Sequence, residues 1–199
     1  MNSKSIALTI AFAAIAVALN AVRIPAIFYP GTFYQFSQIP IIVAFLLFGA
    51  RIGVLVGVLN LTGGLSLFPV GATGIIVYPM GLVSLLIMFA GLYVASRLVT
   101  CNDESERFSL GEKPIIGLTA LAIAFRGGIM PFIDYGVIFH VLVPLVLGIQ
   151  IPEAYIAGLV PAFILYNVTV PLYTVPIAYV VATKVGRYLK IEPRLLRQV

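Results

Sequence analysis

The chain is a series of long apolar blocks separated by short breaks of polar residues, proline and glycine. A bilayer core about 30 Å thick is crossed by roughly 20 helical residues, and the blocks approach that length. The first predicted span is Ser5 to Val22, and a loop rich in proline, glycine and aromatics follows, Arg23 to Tyr34. The second span, Phe36 to Ala50, is short, and the third is Ile52 to Leu67. Phe68 to Gly74 connects to a fourth, Ile75 to Ser96. The one strongly polar stretch comes next, Arg97 to Lys113, with Asp103, Glu104, Glu106, Arg107 and Glu112. Apolar character then lasts from Pro114 to Ile149, too long for one straight span. Gly127, Gly128 and Pro131 interrupt it, so it reads as one kinked helix or as two pieces. The last block, Ala154 to Thr183, carries Pro161, Pro171 and Pro176 as kink candidates. The pattern predicts an all-α polytopic membrane protein, one transmembrane domain over residues 1–199 with six helices.

Composition excludes the main competitor. Of 199 residues, 61% are hydrophobic and 10% charged, against about 45–50% and about 25% in soluble domains. A chain of this size cannot hide so much apolar surface inside itself. The single cysteine, Cys101, excludes an intramolecular disulfide, and the single histidine, His140, excludes a paired-histidine zinc motif. There is no GxxxxGK[ST] phosphate loop, no GxSxG elbow and no carboxylate cluster, and Glu153 stands isolated. No catalytic residue, metal or cofactor is expected, and binding or transport is favoured over enzymatic activity. No signal-peptide cleavage site is evident, so the first block is expected to be the first helix.

The net charge of +5 reads as a topology signal and not as a nucleic-acid surface. With six helices, Lys4, Arg51, Arg97, Arg107, Lys113, Lys184, Arg187, Lys190, Arg194 and Arg197 fall on one side. Only Arg23 lies in an opposite loop, and Arg126 lies inside a span. The positive-inside rule then puts both termini in the cytoplasm.

Ionisable residues at membrane depth are costly and point to function. Arg126, Asp134 and His140 are the candidates, all in the fifth block. Counted from Lys113 at 1.5 Å per residue, Arg126 lies roughly 20 Å deep and Asp134 roughly 31 Å. Counted back from Lys184, Asn167 lies about 25 Å above the cytoplasmic end, a depth comparable with Asp134. Tyr135 and Tyr166 add aromatic surface there. The structural alternative is an internal Arg126–Asp134 ion pair; eight positions apart, the two need a helix break or a bridging group to meet. The outer segment RIPAIFYPGTFYQF, Arg23 to Phe36, reads either as a stiff aromatic lid over a flat ligand or as an interfacial aromatic belt. Ala7, Ala11, Ala14 and Ala18 form a small-residue face on the first helix, suited to close packing within the bundle or against a partner.

Some of these residues resemble a known family. The run FYQFSQIPIIVAFLLFGARIGVLVGVLN, Phe33 to Asn60, is similar to the second and third helices of the substrate-binding S components of energy-coupling factor (ECF) transporters. Gln38 stands where an acidic residue is usual after Ser37, and Ala50 where the Phe48–Gly49 turn usually has proline. RGGIMPFIDY, Arg126 to Tyr135, resembles an Arg-x-x-x-Met-x-x-x-Asn-Tyr pattern of the riboflavin-type members, with Asp134 in place of Asn. Tyr166–Asn167 resembles their Phe-Asn, and Ala14 and Ala18 match the Ala-x-x-x-Ala coupling face.

The resemblance implies a cell-membrane protein that captures a water-soluble vitamin outside with high affinity. It then works with an ECF transmembrane coupling protein and two ATPase subunits. It implies a substrate site under the lid, at Tyr34, Phe36, Gln38, Tyr78, Arg126, Asp134, Tyr135 and Asn167, with Ala14 and Ala18 coupling to the partner. A flavin is the leading substrate, since its ring suits tyrosine and phenylalanine stacking; the carboxylate of Asp134 favours a donor-rich or cationic ligand, or pairing with Arg126. The absence of tryptophan argues against thiamine-type members. The competing expectation is a stand-alone proton-coupled secondary transporter with Arg126, Asp134 and His140 as its relay. Asp134→Ala and Asn167→Ala are expected to weaken ligand binding and leave the fold intact.

Overall fold

The computed structural model describes residues 3–29, 32–68, 71–100 and 112–189. Its helices are α1 (Ser3–Leu19), α2 (Gln38–Phe48), α3 (Ala50–Leu67), α4 (Gly74–Thr100), α5 (Glu112–Ile133), α6 (Val143–Leu147) and α7 (Glu153–Leu189). Asp103, Glu104, Glu106, Arg107, Lys190, Arg194, Arg197 and Cys101 lie outside the described residues.

The centre of the bundle is α2, shorter than every other helix but α6. Every residue of α2 from Ile41 to Leu47 is buried. A helix that is apolar all round belongs in a core, and α1, α3 and α7 pack around this one. Phe45 stacks on Phe89 of α4 with ring centroids 4.0 Å apart, which fixes the fourth wall. Its 11 residues rise only about 16 Å, roughly half a bilayer core. Gly49, at φ +91°, turns the chain from α2 directly into α3, a conformation that a side chain would strain.

The segment before α2, predicted as a loop, is a β-hairpin. Strand β1 (Arg23–Pro25) pairs antiparallel with β2 (Phe33–Gln35), in the register Arg23 to Gln35, Ile24 to Tyr34 and Pro25 to Phe33. Pro25 ends its strand, where a missing N–H is tolerated.

The long fifth block is one continuous helical run with an irregular middle. Gly127, Gly128 and Pro131, the expected break points, lie inside unbroken α5. The irregularity comes later, as a π-helix over Asp134–Leu142 that leads into α6. Val143 N–H bonds the carbonyl of Ile138, five residues back. Pro144 has no N–H to offer the carbonyl of His140. π-Helical stretches are rare and cluster at functional sites. In α7 the helix likewise continues through Pro161, Pro171 and Pro176.

Among the described residues, four helices are long and apolar enough to cross a membrane: Ala50–Leu67, Gly74–Leu98, Pro114–Leu147 and Glu153–Leu189. Two shorter apolar helices, Ile6–Leu19 and Gln38–Phe48, accompany them. The burial pattern is that of a membrane protein. Phe132 and Leu145 are 79% and 77% exposed, while Arg126 is 1% exposed. Large apolar side chains cover much of the outside while Gln38, Arg126, Asp134 and Asn167 are buried, the reverse of a protein made for water. Arg97 and Arg187 stand in the last turns of α4 and α7.

Candidate functional site: a polar cavity under the hairpin

Four segments bring their one unusual polar side chain to the same place. Arg126 of α5 donates through Nη1 to Gln38 Oε1 of α2 at 2.8 Å, and through Nε to Asn167 Oδ1 of α7 at 3.2 Å. Asn167 Nδ2 donates to Asp134 Oδ2 at 2.8 Å and to the Phe163 carbonyl at 3.0 Å. All four side chains are buried. An amide presents an acceptor and a donor on opposite corners, so Asn167 satisfies a cation and an anion at once. It is the bridging group that residues eight positions apart require, and it places Asn167 and Asp134 at one depth.

Beside this chain lies a cavity of about 660 Å³, part of which opens to the exterior. Gln38, Arg126, Asp134 and Asn167 all line it. α4 contributes Ile76, Val77, Met80, Gly81 and Ser84, α5 contributes Met130, the π stretch Ile138, and α7 Tyr166. The hairpin segment closes one side with Tyr29, Thr32, Phe33 and Gln35. The lining is thus mostly apolar, with a few convergent polar groups.

Aromatic residues fasten the hairpin down. Tyr166 donates its hydroxyl to the Phe33 carbonyl at 3.1 Å, and Tyr173 donates to the Gln35 carbonyl at 3.3 Å. Tyr34 and Thr169 share a hydroxyl hydrogen bond at 3.1 Å. The Tyr29 ring packs on Phe163 and Tyr166, at centroid distances of 4.9 and 5.7 Å. Burial, and then the charge of Asp134, push the Tyr29 phenol up from its ordinary value. It therefore stays a neutral O–H donor at the cavity wall.

The other expected site residues lie elsewhere. Tyr34 and Phe36 pack edge-on against Tyr173, at 6.1 and 6.0 Å, and hold the hairpin in place without lining the cavity. Tyr78 lines a second, smaller cavity of about 380 Å³ together with Gln35, Ser37, Gln38 and Asn60. There it donates to the Phe68 carbonyl at 2.9 Å and accepts from Arg23 Nη2 at 3.2 Å. Tyr135 turns away from the cavity and donates to Glu153 Oε1. Glu153, isolated in the sequence, also meets His140 Nε2 at 2.8 Å through its other oxygen. His140 Nδ1 lies 2.7 Å from the Tyr135 carbonyl. These three residues tie the π stretch to the start of α7. Ala14 and Ala18 are exposed on the outer face of α1, as are Ala7 and Ala11.

Tyr29, Ser84, Met130 and Ile138 line the cavity and were not singled out from sequence. Two of them carried a signal: Tyr29 as one of the aromatics in the predicted lid, and Met130 as the methionine of the Arg-x-x-x-Met pattern. Among the described residues no group of three His, Cys, Asp or Glu side chains is placed to hold a metal ion. No protein-family model matches the chain, and no curated protein matches it.

Proposed function

We propose that this chain is the substrate-binding S component of an ECF-type importer in the cell membrane, binding a water-soluble vitamin, with a flavin as the leading substrate. On this reading the chain crosses the membrane six times, α1 and α2 included, with both termini in the cytoplasm. The observation that carries the proposal is the cavity: apolar walls, a buried Gln38–Arg126–Asn167–Asp134 chain on one side and an aromatic-anchored hairpin on another. That is the construction of a site that must close around a small polar molecule and exclude water. Energy for uptake would come from two ATPase subunits through a transmembrane coupling protein, and the exposed alanines of α1 are the surface offered to that protein. The chain's own chemistry is binding and reorientation.

The rival, a proton relay through Arg126, Asp134 and His140, fits the geometry less well. Asp134 turns inward to Asn167, whereas His140 turns outward to Glu153 and the Tyr135 carbonyl. Titration calorimetry of purified, ligand-stripped protein against a panel of water-soluble vitamins tests the proposal. Tight binding of one member supports it. Failure of every member to bind, or transport in proteoliposomes driven by a proton gradient without ATPases, overturns it.

A further inference from the structure

The lining of the cavity defines the charge of what it takes. Its two charged side chains, among the described residues, are Arg126 and Asp134. They are opposite in sign and a single amide apart, so the charges of the site already cancel. A ligand with a net charge would bring an uncompensated charge into a water-poor interior, which is expensive. An electroneutral ligand avoids that cost.

The unused hydrogen-bonding capacity is equally specific. Arg126 has five N–H donors. Two are taken, one by Gln38 and one by Asn167, and the others have no protein acceptor among the described residues. Gln38 gives its oxygen to Arg126, and its NH2 likewise has no acceptor there. Asp134 gives one oxygen to Asn167, and its Oδ1 meets no donor among the described residues. Both N–H donors of Asn167 are used, and its oxygen accepts from Arg126. The cavity therefore offers donors at its Arg126–Gln38 end and an acceptor at its Asp134 end.

We infer that the ligand is an electroneutral small molecule that carries an acceptor such as a carbonyl close beside an N–H or O–H donor. The acceptor faces Arg126 and Gln38, and the donor faces Asp134. This rests on the reading of the cavity as a substrate site. It excludes vitamins held by a carboxylate or phosphate, and it excludes quaternary cations.

The test is calorimetry on the full-length, ligand-stripped protein with six probes. Riboflavin, nicotinamide and pyridoxine are electroneutral and carry both groups; nicotinate and pantothenate are anions, and thiamine is a cation. An electroneutral probe is expected to bind at least roughly tenfold more tightly than any charged one. Asp134→Asn keeps the shape and leaves the site at net +1. It should weaken that probe roughly tenfold, the loss expected for one hydrogen bond to a charged group, and raise the relative affinity for nicotinate. Gln38→Glu gives Arg126 a carboxylate partner and leaves the site at net −1; it should move preference toward thiamine. Thermal unfolding of each variant in detergent checks that it folds, and either one suffices. A charged probe as the tightest binder of the wild type, or variants that leave the order of preference unchanged, overturns the inference alone. If no probe binds, the substrate-site reading falls and takes the inference with it.

Discussion

Asn167→Ala removes the one group that serves both buried charges. Three hydrogen bonds disappear, to Asp134 at 2.8 Å, to the Phe163 carbonyl at 3.0 Å and from Arg126 at 3.2 Å. Two of these involve a charged partner, each worth about 1.5–3 kcal/mol, and the third is worth about 1 kcal/mol. The sum, roughly 4–7 kcal/mol, is an upper bound. Asp134 and Arg126 both line the cavity, so water can enter and restore part of what is lost. A net destabilisation of about 3 kcal/mol follows. For a chain of this length each kcal/mol moves Tm by roughly 2–4 °C, so a fall of about 6–12 °C is expected.

The assay is thermal unfolding in detergent micelles followed by circular dichroism, with vitamin binding measured on the same preparations. The geometry thus adds a stability cost to the loss of binding that the sequence alone led us to expect. A double-mutant cycle separates bridging from simple packing. If Asn167 acts through Asp134, then Asn167→Ala costs less in an Asp134→Asn background, with a coupling of roughly 1–2 kcal/mol. A change in Tm under 2 °C, or additivity within about 0.5 kcal/mol, refutes the bridge.

Other consequences can be checked on the same footing. A Cβ added at Gly91 would lie 2.6 Å from the Leu121 carbonyl oxygen, whereas one at Gly128 meets nothing; Gly91→Ala should therefore cost about 1–3 kcal/mol, and Gly128→Ala should be neutral or stabilising by up to about 1 kcal/mol, both read as Tm. Tyr166→Phe removes the hydroxyl that holds the Phe33 carbonyl, so it should loosen the hairpin and speed amide hydrogen exchange in Phe33–Gln35 while Tm falls by only about 1 kcal/mol equivalent. Ala14→Trp and Ala18→Trp alter exposed positions of α1; ligand binding should be unchanged and ATP-driven uptake with the partner proteins should be lost, whereas impaired binding would mark the face as internal packing.

What could be read from the chain follows from which constraints act locally. The long helices are visible because a bilayer demands continuous apolar runs, and α3, α4 and α7 begin within a residue or two of their expected positions. Arg126, Asp134 and Asn167 stand out because each is a costly residue within such a run. Gln38 reaches Arg126 across 88 positions, and nothing in local spacing announces that contact. The hairpin was hidden because Pro, Gly and aromatic residues in an outer segment suit a loop equally well. α2 reads as a short span, and its burial on every side makes it the core around which the longer helices pack.

The π stretch accounts for the remaining surprises together. The cavity takes Arg126, Met130, Asp134 and Ile138 from this run, at steps of four. In an α-helix each such step overshoots a full turn by about 40°, so twelve residues would carry the last side chain far around the helix. A π turn holds more residues than an α turn, so a step of four taken within it falls short and brings Ile138 back toward the face of Arg126. The same widening stacks residues five apart. Tyr135 and His140 have ring centroids 4.8 Å apart and share the contact to Glu153, although a 3.6-residue period sets them about 140° apart. A search at helical spacing therefore separates these two residues and scatters the cavity-lining ones, because the periodicity assumed is the very feature that the chain departs from at its site. Pro144, which has no N–H to return the chain to an α ladder at His140, is the one mark of that departure carried by the sequence itself.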